Sequence, residues 1–267
     1  MNQTVTSRTW KRPPFIKSSR LRWGLWLGVA IYLALAFGTM EVDWVRVGEG
    51  MTRGKRFVLA FFPPDFTSRW DSIQDGILES LLMAITSTVI GIILSIPVGL
   101  GASRNLAYRP VYLFCRGILA VSRTFPEIIL AIFFVKFFGF GPFAGFLALS
   151  IGTIGFYGKL LAEDIEAMDP VQAEAIKSVG AGWLQWFNYS IQPQVMPRMI
   201  GLGIYRLDIN FRESAVLGIV GGGGIGATLL TSFDRYEFDS AAAILLVIIG
   251  IVMLMEYSSG YIRQWVQ

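Results

Sequence analysis

Long uncharged runs alternate with short charged clusters along this chain. Positions 23–40, 80–103, 137–158, 214–233 and 240–255 contain no Asp, Glu, Lys or Arg. Two more apolar stretches are interrupted: 111–135 by Arg116, Arg123 and Glu127, and 197–218 by Arg198, Arg206, Asp208, Arg212 and Glu213. A helix that crosses a bilayer needs about 20 mainly apolar residues. The pattern therefore predicts an all-α polytopic membrane protein with about six spanning helices, at 23–41, 77–103, 112–138, 142–166, 196–219 and 238–261. Residues 178–197 are uncharged too, but Asn188, Ser190, Gln192, Gln194, Pro193 and Pro197 read as a polar, non-spanning segment. Pro97 and Pro126 lie inside expected helices, where each should kink the helix or break its hydrogen-bond ladder.

Composition agrees. Charged residues make up 16% of the chain and apolar ones 54%, against about 25% charged in soluble domains. A single cysteine, Cys115, excludes an internal disulfide framework and a four-cysteine zinc site. The absence of histidine removes the commonest general base and metal ligand, and with them Ser-His-Asp and Cys-His chemistry. Arg8, Lys11, Arg12, Lys17, Arg20 and Arg22 crowd a basic tail, 1–22, directly ahead of the first apolar run. A basic cluster there reads as a topology signal rather than a nucleic-acid patch, and it places both termini in the cytoplasm. No small-x-small cleavage site follows 23–41, so this run is expected to be a retained anchor. Arg104, Arg109, Lys159, Lys177 and Arg198 then fall inside. The connection 42–75 falls outside although it carries Arg46, Arg53, Lys55, Arg56 and Arg69, which runs against the positive-inside rule. Its end, Phe61-Phe62-Pro63-Pro64-Asp65-Phe66, reads as an interfacial aromatic anchor.

Between the fourth and fifth runs lies a polar segment, 168–194. Asp169 suits a helix N-cap and Pro170 a first turn. Gly180 and Gly182 should end that helix, and a second short helix over 183–190 should precede Pro193. Its physics fits either an interfacial amphipathic hairpin or a docking projection. The run Gly221-Gly222-Gly223-Gly224-Ile225-Gly226 satisfies G-x-G-x-x-G, but Ala227 stands where a P-loop needs Lys and no βαβ unit follows. A tight turn with close backbone packing at the outer end of the fifth helix, through Gly221, Gly223, Gly224 and Gly226, is expected instead.

Glu174-Ala175-Ile176, then Gly180 and Pro193, resembles the EAA motif of binding-protein-dependent ABC transporter permeases, with Ile176 in place of the second alanine. Asn210-x-Arg212-Glu213-Ser214 leading into Gly223-Gly224-Ile225-Gly226 is similar to the phosphonate and phosphite branch of that family. So are Phe62-Pro63-Pro64-Asp65-Phe66, 139–145 and 193–197, whereas 122–127 departs from the branch. The resemblance implies a type I importer permease fold, like that of the methionine permeases, with a core over 76–261. It further implies that 168–194 couples to two cytoplasmic ATPase subunits through Glu174, Ala175, Gly180 and Pro193. ATP would be bound by those partners and no cofactor by this chain, which would be non-catalytic. A periplasmic binding protein and a second permease copy complete the implied assembly in the bacterial inner membrane.

Charges inside a bilayer are costly, so those present should pair or line a path. Asp208 and Arg212 have the spacing of a helical ion pair. Arg123, Glu127, Arg206 and Arg212 are the candidate path residues for a phosphonate or phosphite oxyanion, because guanidinium forks match its oxygens. A methionine or other small amino-acid permease is the alternative, and an intramembrane lipid-phosphate enzyme a more distant one.

Overall fold

The computed structural model describes residues 16, 18–40 and 43–266, with side chains to Ile262. Of the basic tail it includes Arg20 and Arg22; Arg8, Lys11, Arg12 and Lys17 lie outside the described residues, as does Glu41. The chain divides into two units, Met1–Phe57 and Val58–Gln267.

In the first unit, α1 (Ser19–Thr39) is apolar all round beyond its first turn, which carries Arg20 and Arg22, and buries no residue, as suits a helix surrounded by lipid. Asp43 then starts α2 (Trp44–Leu59): its carboxylate accepts from the amides of Val45 and Arg46 at 3.0 and 3.1 Å. The 42–75 connection thus carries a helix that a search for uncharged runs misses. Its apolar positions 44, 47, 51 and 58 are interleaved with charges at 46, 49, 53 and 56, so periodicity rather than run length betrays it.

The second unit comprises α3 (Trp70–Gly101), α4 (Arg109–Thr124), α5 (Glu127–Phe138), α6 (Pro142–Glu166), α7 (Pro170–Ser178), α8 (Trp183–Trp186), a π-helical turn (Phe187–Ile191), α9 (Gln192–Ile219), α10 (Ile225–Asp234) and α11 (Phe238–Val266). Among the described residues four helices, α1, α3, α6 and α11, are long and apolar enough to cross a membrane, and the bent pair α4–α5 would make a fifth. The 28-residue α9 has the length of a span. Its charges keep it out by composition, yet Arg206 and Asp208 are each only 3% exposed, turned into protein rather than lipid.

Three expectations are corrected in detail. The stretch 112–138 is not one helix: α4 and α5 meet at 89°. Pro126 has no amide to donate and pushes Phe125 into extended backbone (φ −97°, ψ 122°), which ends α4. Residues 183–190 are not a separate helix either. α8, the π turn and α9 run on without a break, because Pro193 sits in the first turn of α9, where proline is tolerated. At Pro97, by contrast, α3 continues as one helix. The aromatic stretch is also less exposed than an interfacial anchor would be at one end: Phe61 packs at 5.9 Å from Phe238 and 6.2 Å from Phe233, while Phe62 stays exposed. Next to it, hydrogen bonds from the Ser68 and Thr67 hydroxyls and their amides hold the Asp65 carboxyl well below the usual carboxylate range.

The centre of the second unit is α3 on α6. The buried positions of α3 include Ser80, Ala84, Ser87, Gly91, Ser95 and Gly99, small residues three or four apart on one face. The buried positions of α6 include Ala148, Thr153, Gly158 and Ala162, of which Thr153 lies against Gly91 and Gly158 against Ser95 of α3. In lipid, helices associate through close packing rather than by expelling water, and small residues permit it. A Cβ at Gly91 would lie 2.5 Å from the Thr153 Cβ. Gly91→Leu is therefore expected to cost at least about 1–3 kcal/mol through overpacking, seen as a lowered unfolding temperature of the detergent-purified protein.

Candidate functional site

Two polar regions stand out in the second unit, one between helices and one at a helix junction. The first is organised by the break between α4 and α5. It sets Glu127 in the first turn of α5, where Arg206 of α9 reaches it: Nη2 donates to Glu127 Oε1 at 3.2 Å. The same Nη2 lies 3.6 Å from Glu213 Oε2, and the guanidinium sits over the Phe156 ring at 5.5 Å. Its Nε donates to the Thr153 hydroxyl at 3.1 Å. That hydroxyl donates to the Leu149 carbonyl at 2.7 Å and accepts from Asn210 Nδ2 at 3.0 Å, so its donor and both acceptor sites are in use. Asn210 also donates to Thr88 at 2.7 Å. One hydroxyl thereby joins α6 to two positions of α9, and Asn210 carries the network on to α3.

The remaining charges mostly pair off. Arg212 pairs with Asp208 one turn away, as its spacing predicts. Arg116 pairs with Glu166 at 2.9 Å. Arg123 and Lys136 have no carboxylate within ion-pair distance among the described residues, and Arg123 is exposed at the end of α4. Buried acceptors are left over: Asp208 Oδ1 and Glu213 Oε2 receive no hydrogen bond among the described residues. Of the four residues predicted to line a path, the structure pairs Glu127 with Arg206 and Arg212 with Asp208, and leaves Arg123 without a carboxylate partner among the described residues.

The second region is the junction from α7 to α9. Asp169 caps α7 by accepting from Val171 N at 2.9 Å, and Gly180, at φ +79°, turns the chain in a conformation that penalises any Cβ. Trp186 Nε1 donates to the Ala173 carbonyl at 3.0 Å, and Lys177 Nζ lies 4.2 Å from the centre of the Trp186 ring. Gln194 accepts from Asp169 N at 2.9 Å and donates to the Ser190 carbonyl at 2.9 Å. Ala173 and Trp186 belong to one buried cluster with Tyr157, Leu161 and Ile165 of α6 and Met199 of α9. The elbow is thus keyed into the bundle. Its outer surface carries Glu174, Ala175 and Gly180, all exposed, beside exposed Val171, Val179 and Leu184, and Pro193 is exposed at the start of α9.

The glycine run forms a turn between α9 and α10. Gly221, Gly223 and Gly224 all have positive φ, and a Cβ on Gly223 would lie 2.6 Å from Pro142 N. Gly226 packs against the Ala215 carbonyl. The amides of Gly224 and Ile225, which in a phosphate loop would face the ligand, donate instead to Glu79 Oε2 at 2.7 Å and Ser80 Oγ at 2.9 Å.

Residues 87–267 match the family described as binding-protein-dependent transport system inner membrane component. The chain belongs to this family. It is 43% identical over 202 residues to the phosphate-import permease protein PhnE of Mycolicibacterium smegmatis, a match covering 75% of this chain and 38% of that protein. It is 36% identical over 232 residues to the putative phosphite transport system permease protein HtxC of Stutzerimonas stutzeri, covering 86% of this chain and 82% of the other. Among solved structures, an inward-facing form of the MetNI methionine ABC transporter matches with a TM-score of 0.65 at 22% identity, covering 73% of this chain and 96% of that one. The fold is that of an importer permease, all-α among the described residues, and the family is an inner-membrane component of binding-protein-dependent transport systems.

In this permease several structural residues escape a reading by motif. Thr153, Thr88 and Trp186 carry no charge and sit in no distinctive spacing, so only their contacts reveal them. Gly152 had no signal at all: a Cβ there would lie 2.5 Å from Glu127 Oε1 and 2.8 Å from Arg206 Nη2, so its bareness leaves room for the ion pair. Replacing Arg206 by Met is expected to destabilise the permease by about 3–5 kcal/mol, since it strands two glutamates. Adding Glu127→Gln and Glu213→Gln should recover part of that loss. Thermal unfolding of the variants in detergent measures both.

Proposed function

We propose that this permease is the membrane subunit of an ATP-driven importer for small phosphorus oxyanions of the phosphonate and phosphite class. Two copies form the path, with termini and elbow on the cytoplasmic side. Two ATPase subunits grip 168–194, and a soluble binding protein delivers cargo outside. The chain itself is non-catalytic. The observation that carries the reading is the elbow. Apolar Val171, Val179 and Leu184 are exposed around Glu174, while Trp186, Asp169 and Gln194 fix its shape and lock it to α6 and α9. A hairpin that merely rests on lipid has no need of such internal bracing; a lever moved by a partner does. The relatives named for phosphate and phosphite, at 43% and 36% identity, support the cargo over methionine, whose permease relative reaches 27%.

Within the path, Arg206 is buried between two glutamates, whereas Arg123 and Arg212 are exposed, the latter while paired with Asp208, so these two are the guanidiniums proposed to meet the anion. Glu127 and Arg206 hold α5 against α9 around that route. The glycine turn serves as close-packed scaffolding at the outer end.

Glu174→Lys and Gly180→Leu should leave the protein inserted yet abolish transport; retained ligand-stimulated ATPase activity in both would refute the coupling role. Arg212→Gln should cut uptake while ATPase association persists, and unchanged uptake would remove Arg212 from the path. Binding-protein-dependent ATPase assays with phosphonate, phosphite and methionine decide the cargo, with stimulation by the phosphorus compounds expected.

A further inference from the structure

The function proposed above leaves α2 without a task, and its basic residues are the ones that conflict with the positive-inside rule. At 100° per residue, Trp44, Val47, Met51 and Val58 fall on one face of α2, and Arg46, Glu49, Arg53 and Arg56 on the opposite face, flanked there by Val45 and Phe57. All sixteen residues of the helix are exposed. Arg46 and Arg53 have acidic neighbours in Asp43 and Glu49, but Arg56 and Lys55 exceed them, so residues 43–59 carry four basic and two acidic side chains. Lys55 lies on the apolar side, where its long stem lets the ammonium reach outward.

Position follows from the tether. Only four residues, 40–43, separate the end of α1 from the start of α2, a reach of at most about 14 Å. If α1 spans the bilayer, α2 starts at its surface. An amphipathic helix held there, with an apolar stripe and a basic stripe on opposite sides, matches a membrane interface in both shape and charge. We propose that α2 lies flat on the membrane, with Trp44, Val47, Met51 and Val58 in the acyl boundary and Arg46, Arg53 and Arg56 on anionic phospholipid headgroups. The guanidiniums beside α1 are then a lipid contact rather than a topology signal. The inference rests on α1 spanning the membrane and is independent of cargo and of the elbow's partner.

The test uses the full-length protein carrying Cys115→Ala, with a nitroxide at Met51→Cys or at Glu49→Cys. Accessibility to oxygen and to a water-soluble nickel chelate is read in vesicles of equal phosphatidylglycerol and phosphatidylcholine, and in phosphatidylcholine alone. In the anionic vesicles the label at 51 should favour oxygen and the label at 49 the chelate. Arg46→Gln, Arg53→Gln and Arg56→Gln together should lower the inserted fraction at 51 by at least about tenfold, as should removal of the anionic lipid. Equal chelate access at both positions would overturn the proposal. So would insertion indifferent to lipid charge and to the arginines, or a label at 51 shielded from both reagents, which would mean that a protein surface covers the face.

Discussion

The Thr153 hydroxyl can serve Arg206, Asn210 and the Leu149 carbonyl at once only because the backbones around it come unusually close. Gly91 lets α3 approach Thr153 itself, and Gly152 leaves the space that Glu127 and Arg206 occupy. Small residues and polar residues are therefore one device here. A buried guanidinium in a bilayer-spanning bundle has no water to turn to, so it must be met by side chains, and they reach it only where neighbouring helices nearly touch. Remove either glycine and the polar network loses its geometry; remove the network and the close approach leaves stranded charge.

From that centre the rest is arranged by where helices are allowed to break. Pro126 ends α4 and turns α5 through 89°, which delivers Glu127 to α9 and leaves Arg123 exposed at the corner. At the start of α9 no gap occurs: α8, the π turn and α9 follow one another without an intervening loop. Trp186 and Met199 share a packed cluster with α6, so the elbow is packed against the same bundle as the helix that bears Arg206, Asp208 and Arg212. The same run of helix thus joins the surface proposed to meet the ATPase with the charges near the proposed route of the anion.

Much of this was legible from residue order. Uncharged runs located α1, α3, α6 and α11, because a bilayer demands length and apolarity, although the equally uncharged 214–233 crosses the end of α9, the glycine turn and α10. The spacing of Asp208 and Arg212 announced their pair, Asp169-Pro170 the start of α7, and Gly180 its end, since each is a local effect decided within one helical turn. Pro126 signalled a break, although not its angle. The amphipathic α2 was hidden from a scan for uncharged runs and visible only to one for periodicity.

What the order of residues determined by itself was the membrane setting, the positions of most helices, and the elbow with its family signature. Those depend on solvent preference and on interactions between residues at most a few positions apart. The tertiary structure alone decided which charges are engaged and which are free: Arg206 with Glu127, 79 residues away, Asn210 with Thr88, 122 residues away, and Arg123 without an acidic neighbour among the described residues. Such pairings depend on how closely two helices approach, and that distance is set by glycines and hydroxyls whose importance shows only once the helices are packed.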